Sequence, residues 1–323
     1  MIMINPSIHR LIGAVAIAAL GAGATAGVGA FAEAGHRVVG HVAEIHLRDS
    51  RALKEARAIL GPEETLADAA FWPDAIKSSG YEDADAGPFR LEHPAHETYH
   101  YTNLPFQADR YDPTIPGAHY TDIVRMTREC IRVLKGTSQV FTRREALRLL
   151  AHFVGDIHQP LHVGNSFVTV QPPLRFIRPD GPDEGLSSAG GNALRYGPQD
   201  TFNLHSFWDA HAVNLAMQRL EAPEYAQRLV KDLRVSSAWK NTGDVALWPE
   251  RWATEGLEYA EAAHKGITLT AYLGPDEDGR MAHRWRIQQP AGYEEAARGR
   301  IRIQLAKAGY RLAATLQTIW PEK

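Results

Sequence analysis

The chain has 323 residues, 44% of them hydrophobic, and a formal net charge of −3 at pH 7. This balance excludes the strongly basic proteins that coat nucleic acid through charge alone. The single cysteine, Cys130, excludes an intramolecular disulfide, so stability must come from the core or from bound metal. We expect Cys130 to be a small core residue.

The N-terminal segment predicts export. Arg10 precedes an apolar stretch over residues 11–20, and small residues follow as far as Ala30. This order is typical of a secretory signal peptide, and the apolar part is well short of the roughly 20 residues that a membrane anchor needs. We therefore predict a signal peptide over residues 1–30 and a mature chain that starts at Phe31. The expected location is secreted or periplasmic, with no stable membrane association after cleavage.

Residues 31–323 predict a single all-α domain, since no low-complexity linker or internal repeat divides them. Apolar residues recur at steps of three and four along several segments, which is typical of a helix with one buried face. These segments are Gly35–Leu60, Thr121–Leu134, Arg143–Asp156, Ser206–Leu220, Trp252–Ala263 and Arg300–Ile319. The best strand signals are Phe167–Val170 and Leu174–Ile177, so we expect at most a short β-hairpin.

Four long loops connect the predicted helices. They cover Ser78–His96, Asn103–Tyr120, Gly164–Thr201 and Thr270–Arg284. Long connections in a compact domain are usually functional or disordered, so these loops are expected to frame a cleft.

Two His–Asp pairs share the spacing of one helical turn. His152 and Asp156 lie four residues apart in RLLAHFVGDIHQPLHVG, so both side chains leave one helix face and can meet one metal ion. Pro160 interrupts that helix, so His162 is expected from the turn beyond it. His205 and Asp209 in NLHSFWDA repeat the four-residue spacing. An ordinary His–Asp hydrogen bond or ion pair explains either pair alone, but two pairs in a chain with 15 histidines favour metal binding.

Three single residues are further ligand candidates. They are His36 after Gly35, Asp74 in FWPDAIK and His100 in ETYHYTN. Each also has an ordinary explanation, as a capping or solvent-facing histidine, a helix start and a core histidine, respectively. The combined set offers imidazole and carboxylate without thiolate. It favours catalytic zinc with open coordination positions over a closed structural site of the cysteine type.

These segments resemble the S-one/P-one nucleases, zinc-dependent single-strand nucleases related to bacterial phospholipase C. The matching motifs run along the whole mature chain as FAEAGH, FWPD, YHYTN, LLAHFVGDIHQPLHVG, GGN, NLHSFWD, WATEG and QLAKAGYRLA. The resemblance implies a mostly helical phospholipase C/P-one nuclease-like fold. It also implies hydrolysis of single-stranded DNA and RNA to 5'-nucleotides and removal of 3'-phosphate from nucleotides, and we expect a monomer.

The resemblance further implies three zinc ions per chain. The first is held by Asp74, His100, His152 and the bridging Asp156. Its close neighbour is held by Asp156, His36 and the mature terminus at Phe31, and the third is held by His162, His205 and Asp209. In the family the terminal residue is usually Trp and ligates through its backbone amine and carbonyl. Phe31 keeps those atoms, but the free amine exists only after cleavage behind Ala30.

The resemblance leads to a hypothesis for the reaction. The two bridged zinc ions would lower the pKa of a shared water, and the resulting hydroxide would attack phosphorus in line. The third ion would bind the phosphate and stabilise the departing 3'-oxygen. Asp74 would orient the water, and Lys77 matches a basic family position that neutralises developing charge. The ordinary alternative for Lys77 is a solvated surface lysine.

Tyr101 and Asn103, which follow His100, are candidates for binding the substrate. Tyr101 occupies the family's base-stacking position, and Asn103 occupies a position that hydrogen-bonds the base edge. Stacking requires an unpaired base, which explains a preference for single strands. A packing aromatic is the alternative for Tyr101. Asn103 replaces an acid of fungal relatives, so base preference is expected to differ, and the long insertion over residues 163–190 is expected to reshape access to the cleft.

Two other functions stay open. A zinc-dependent phospholipase C shares the metal architecture, but its last ligand is typically Glu, where this chain has Asp209. A non-catalytic exported zinc-binding protein, in which metal replaces missing disulfides, would need neither Lys77 nor open metal positions.

Overall fold

The computed structural model describes the backbone of residues 30–322 and the side chains of residues 33–322. The predicted signal peptide therefore lies outside the described residues except for the backbone of Ala30, and so does the side chain of Phe31. Among the described residues, no helix combines the length and apolar character that a membrane span requires.

Helices make up most of the described chain, so the predicted all-α class is confirmed. The α-helices are α1 (Ala30–His46), α2 (Arg51–Leu60), α3 (Leu66–Ala75), α4 (Ala86–Glu92), α5 (Ile123–Leu134), α6 (Arg143–Asp156), α7 (Pro160–Val163), α8 (Leu204–Ser206), α9 (Ala212–Met217), α10 (Ala222–Asp232), α11 (Trp248–His264) and α12 (Tyr293–Ile319). A 3₁₀ turn covers His96–His100, and a π-helical turn covers Phe207–His211.

Local capping explains where the helices that carry the site begin. Thr142 caps α6 and forms a capping box with Glu145, and Thr65 forms the same arrangement with Asp68 at the start of α3. In a capping box the two side chains satisfy backbone N–H groups that the first helical turn leaves without partners. Both helices therefore start at positions fixed by their own sequence.

Helix α1 crosses two other helices at glycines. It packs against α3 and α12, and it also contacts α6 and α10. At Gly40 a Cβ atom would lie 2.4 Å from the Cα of Ala67 on α3. At Gly309 on α12 it would lie 2.4 Å from the Cβ of Val42. Only glycine permits these close crossings, which hold α1 against the rest of the core.

The buried apolar side chains form one contiguous cluster that all the longer helices enter. Cys130 lies within it, fully buried on α5, as expected.

Three small sheets lie in and beside the predicted loops, which is more β-structure than the expected single hairpin. β1 (Leu104–Pro105) pairs in parallel with β2 (Gly164–Asn165). β3 (Phe167–Val168) lies between β4 (Phe176–Ile177) and β5 (Leu186–Ser187), antiparallel to both. A third sheet has the order β7 (Phe202–Asn203), β6 (Leu194–Tyr196), β9 (Trp285–Gln288) and β8 (Thr268–Tyr272). Strands of two or three residues are too short to give an alternating pattern, whereas the four residues of β9 alternate between buried and exposed positions.

Several predicted boundaries hold and others shift. Helix α6 has the predicted bounds, and β3 and β4 lie within the two predicted strand segments. Helix α12 begins seven residues before Arg300, at Tyr293. The segment Gly35–Leu60 is wrong as one helix, because Asp49 adopts a positive φ of 63° and Ser50 caps a new helix.

Candidate metal centre

Helix α6 presents His152 and Asp156 side by side, as their spacing predicted. The Nε2 atom of His152 lies 2.8 Å from Oδ2 of Asp156. The Nδ1 atom of His152 lies 2.7 Å from the carbonyl oxygen of Ala70 on α3 and donates to it. Because Nδ1 then carries the proton, the lone pair of His152 is on Nε2 and faces the carboxylate. Gly155 makes room for the neighbouring helix, since a Cβ there would lie 2.6 Å from Nδ1 of His36.

Three other segments bring ligand candidates to this pair. The Nε2 atom of His36, on α1, lies 3.1 Å from Oδ1 of Asp156. The Nδ1 atom of His100, at the end of the 3₁₀ turn, lies 3.0 Å from Oδ2 of Asp156 and 2.8 Å from Nε2 of His152. Oδ1 of Asp74, on α3, lies 3.7 Å from Nε2 of His152. Five residues from four separate segments thus converge on one point.

A second group of ligand candidates lies beside the first. The Nε2 atoms of His162 and His205 lie 3.4 and 3.1 Å from the two carboxylate oxygens of Asp209. Their Nδ1 atoms donate to backbone carbonyls, His162 to His100 over 2.7 Å and His205 to Gly190 over 2.9 Å. In the neutral form that binds metal, each ring therefore carries its lone pair on Nε2, on the side of Asp209, as metal-binding histidines do when a carbonyl fixes the other nitrogen.

Local structure delivers each member of this second group. Pro160 occupies the first position of α7, so His162 comes from a new short helix beyond α6, as predicted. Asn203 caps α8, which carries His205, and the π-helical turn that follows carries Asp209. The extra residue of a π-turn changes the direction of the side chains that follow, and such turns are frequent at functional sites.

The donor atoms fit a metal ion. Within each of three groups, one nitrogen or oxygen atom per residue lies within 4.8 Å of the others. The groups are His36–Asp74–His152, His100–His152–Asp156 and His162–His205–Asp209. The third is the set that the resemblance assigned to one ion. In the first, His36 shares its group with Asp74 and His152, although its Nε2 atom is also close to Asp156.

Electrostatics keep these groups in the form that binds metal. Burial opposes ionisation of Asp156, but its electrostatic interactions with His152, His162 and His36 outweigh burial and hold its pKa well below the ordinary value. Burial and the nearby Lys77 lower the pKa of His100 to about 3, so its ring is neutral at neutral pH. Ionised carboxylates and neutral imidazoles are the forms that coordinate metal.

His162 shows the opposite effect. Burial lowers its pKa, but the charges of Asp156 and Asp209 outweigh burial and raise the pKa to about 9. In the metal-free protein this imidazolium partly balances the two carboxylates. A cation bound by the group would take over that charge balance.

Lys77, Tyr101 and Asn103 surround the same cleft. The Nζ atom of Lys77 lies 2.6 Å from Oδ1 of Asp74. Two adjoining cavities share Lys77, His162 and His205: one also contains His36, Asp74, Asp156 and Asp209, and the other also contains His100, Tyr101 and Asn103. The structure therefore brings together every site residue predicted from the sequence whose side chain it describes.

Two residues at the site were absent from the sequence prediction. Asn192, which ends the GGN motif, lines the cavity that contains Tyr101. Gln159 donates from Nε2 to Oδ1 of Asp209 over 2.6 Å. The position of Gln159 directly before Pro160 was an available signal, because a polar residue before an N1 proline is a candidate helix cap.

Comparison with known proteins identifies the family. Residues 31–321 match the family model described as S1/P1 Nuclease. The chain is 27% identical to Nuclease S1 of Aspergillus oryzae, over 88% of this chain and 90% of that protein. It is 26% identical to Nuclease P1 of Penicillium citrinum, over 88% and 96%, and 25% identical to Endonuclease 4 of Arabidopsis thaliana, over 90% and 89%.

The chain therefore belongs to the S1/P1 nuclease family, which confirms the resemblance seen in its motifs. Membership supports a hydrolase that acts on nucleic acids. The three His–Asp groups described above can bind metal, in agreement with a metal-dependent family.

Proposed function

We propose that this protein is an exported, monomeric zinc enzyme with one catalytic domain over residues 31–323. It hydrolyses single-stranded DNA and RNA to 5'-nucleotides and removes the 3'-phosphate of nucleotides. The observation that carries the proposal is the convergence of His and Asp donors from separate helices on one cleft that also contains Lys77 and Tyr101.

The chemistry of the donor atoms favours zinc, since imidazole nitrogen and carboxylate oxygen are both good zinc ligands and no thiolate is present. One ion would be held by Asp74, His100, His152 and Asp156, and its neighbour by Asp156, His36 and the backbone of Phe31. The third would be held by His162, His205 and Asp209. The terminal ligand makes export part of activation, because Phe31 has a free amine only after cleavage behind Ala30.

The protein's own residues would carry the following roles. Bound zinc would act as a Lewis acid and lower the pKa of a water molecule toward neutrality. Asp74 is held ionised, since its electrostatic interactions with His152 and Lys77 outweigh its burial and lower its pKa. It can accept a hydrogen bond from the attacking water and orient it. Lys77 places an ammonium group beside Asp74, where it can neutralise charge that develops on phosphate.

The bond changes define the products. The water oxygen forms a new bond to phosphorus, and the bond from phosphorus to the 3'-oxygen breaks. The 3'-oxygen takes up a proton and leaves as a hydroxyl, so a polynucleotide yields 5'-phosphates. In a 3'-nucleotide the same step releases inorganic phosphate.

The cleft also supports the single-strand preference. Tyr101 is half-buried beside the metal groups, and Asn103 lines the same cavity. Stacking on a tyrosine needs a base whose face is free, which a base in a duplex does not offer. Asn103 offers both a donor and an acceptor, so it can meet either kind of group on a base edge.

The test uses purified protein that starts at Phe31. Substrates are single-stranded and duplex DNA, RNA, 3'-AMP and phosphatidylcholine, each with and without chelator, and zinc is counted in the same preparation. We expect three zinc ions and chelator-sensitive release of 5'-nucleotides from single strands. Activity on the lipid alone would instead mean that the protein is a phospholipase C. Bound zinc with no hydrolysis of any substrate would assign a non-catalytic zinc-binding protein.

The dependence on export has a matched control in the same assay. Protein that starts at Gly29 keeps every side-chain ligand but lacks a free amine at Phe31. We expect it to bind one zinc ion fewer and to lose most activity. Equal zinc content in the two forms would mean that the amine of Phe31 is not a zinc ligand.

A further inference from the structure

Gln159 lies in the chain between Asp156 and His162, two ligand candidates, and its side chain contacts a third, Asp209. It is 1% exposed, and it stands three residues after Asp156 and three before His162. Its side chain caps α7, the short helix that carries His162. It therefore belongs to the segment that joins ligand candidates of both groups.

Its hydrogen bonds fix the orientation of its amide. Oε1 accepts from the backbone N–H of Leu161, and an N–H group can be met only by the oxygen end of the amide. Nε2 is therefore the atom that faces Asp209, and it donates to Oδ1 over 2.6 Å. This bond to a carboxylate is charge-assisted, and such bonds are about twice as strong as neutral ones.

The bond also orients the carboxylate of Asp209. With Oδ1 held by the amide, Oδ2 lies 3.1 Å from Nε2 of His205. Oδ1 itself lies 3.4 Å from Nε2 of His162 and keeps a second lone pair. The same glutamine thus caps the helix of one ligand and sets the direction of another.

We propose that Gln159 is a positioning residue for the group His162–His205–Asp209. By holding Asp209 from the side of α7, it keeps the three donor atoms in one arrangement before a metal ion binds. The inference rests on the proposed function in one respect, namely that this group holds zinc. A cap of α7 alone would need only Oε1, so the donating end of the amide is the part that distinguishes the two roles.

Two variants separate the positioning role from general packing. Gln159→Glu keeps the size of the side chain and an acceptor for Leu161, but it places an acceptor against Asp209 where a donor stood. The control is Gln304→Met. Gln304 is also buried, at 3% exposure, and its Nε2 atom donates over 2.8 Å to the backbone oxygen of His158, next to Gln159.

The first measurement is zinc stoichiometry and affinity of each intact mature protein, by competition with a chromophoric chelator. We expect Gln159→Glu to weaken one of the three sites by roughly 10–100-fold, the range found when partners of metal ligands are removed. We expect Gln304→Met to keep all three affinities within about twofold of wild type, although its packing changes as well.

The second measurement needs no metal and covers the case in which Gln159→Glu folds poorly. In the double variant Gln159→Glu with Asp209→Asn, an amide again faces a carboxylate, with donor and acceptor exchanged. We expect Gln159→Glu to lower the urea midpoint of the metal-free protein, and the double variant to restore most of that decrease. No recovery, unchanged zinc affinity in Gln159→Glu, or an equal loss of affinity in Gln304→Met would each overturn the inference. A wild-type protein that binds no zinc would overturn the proposed function, and the urea comparison would still test the bond between Gln159 and Asp209.

Discussion

Among single residues, Lys77 offers the clearest separation of catalysis from metal binding. Burial disfavours its charge, but the carboxylates of Asp74 and Asp156 outweigh burial and raise the pKa of Lys77, so it is charged at neutral pH. Replacement by methionine keeps the apolar stem and removes the ammonium group. We expect kcat to fall about 100-fold, a typical loss for one donor that stabilises a transition state, with zinc content unchanged.

The control for Lys77→Met is the same change at Lys54, an exposed residue of α2. It should leave kcat within about twofold. If Lys77→Met lost zinc together with activity, Lys77 would be a support for the metal groups and not a catalytic residue.

The contact between two site residues was predictable from the sequence where the pair lies on one helical turn. His152 with Asp156, and His205 with Asp209, needed only the four-residue spacing, and the structure places each pair in contact. The partner of Gln159 is 50 residues away, so no local pattern indicated it. Tyr101 and Asn103, the proposed base-binding residues, were indicated by resemblance alone, because nothing in their spacing distinguishes a cleft from a core.

At the level of elements, the crossing of α1 and α3 holds together two helices that carry ligand candidates. A Cβ at Gly40 would lie 2.4 Å from Cα of Ala67 and 2.6 Å from the oxygen of Leu66, and these backbone atoms cannot rotate away. Since α1 carries His36 and α3 carries Asp74, Gly40→Ala must move the two ligand candidates apart. We expect a loss of about 1–3 kcal/mol in the free energy of unfolding, together with weaker zinc binding.

Gly299→Ala is the matched control for this crossing. Gly299 lies on exposed α12 surface, and a Cβ there would meet no atom within 4 Å. Alanine is the better helix former by about 1 kcal/mol, so this variant should be as stable as wild type or more so. Thermal unfolding and zinc titration of both variants make the comparison. Equal behaviour would mean that the crossing has no influence on the site.

His264, the last residue of α11, makes the stability of the fold depend on pH. Burial lowers the pKa of His264 to about 4, against 6.5 for an unperturbed histidine, and its ring stacks on Phe106. Above pH 6.5 the His264 ring is neutral in both the folded and the unfolded chain, so it does not lower the free energy of unfolding. Between pH 6.5 and 4 only the unfolded chain takes up the proton, which costs up to about 3 kcal/mol of stability.

His264→Phe tests this term, because phenylalanine keeps the stacking and does not titrate. Urea unfolding of metal-free protein between pH 7 and 4 should show a shallower loss of stability in the variant than in wild type. The comparison cancels the titration of the histidines proposed as metal ligands, which both proteins share. Parallel pH curves would contradict the assignment to His264.

Element boundaries were predictable where capping is local and not where tertiary contacts decide. Helix α6 is marked at its start by Thr142 and Glu145, and its predicted bounds hold. The break between α1 and α2 depends on a positive φ at Asp49, which the apolar periodicity across it does not reveal. The two- and three-residue strands depend on partners far along the chain, such as β6 beside β9.

For the molecule as a whole, the groups of ligand candidates link the first described helix to the middle of the chain. His36 on α1 meets Asp156 on α6, and Asp209 beyond residue 200 meets His162 on α7. Zinc bound at such junctions stabilises only the folded state, because the unfolded chain does not bring these residues together. Binding at 1,000 times the dissociation constant contributes about 4 kcal/mol per site.

Removal of zinc should therefore lower the thermal midpoint by roughly 10 °C or more, since 1 kcal/mol shifts Tm by about 2–4 °C in a domain near this size. Return of zinc should restore it, whereas magnesium should not, because magnesium prefers six oxygen ligands. His152→Ala is the informative variant, because His152 is a proposed ligand of one ion and its Nε2 atom lies 2.8 Å from Asp156, which that ion would share with its neighbour. Its Tm should respond to chelator by less than half of the wild-type shift. A full response in that variant would mean that the stabilising ion lies at His162, His205 and Asp209.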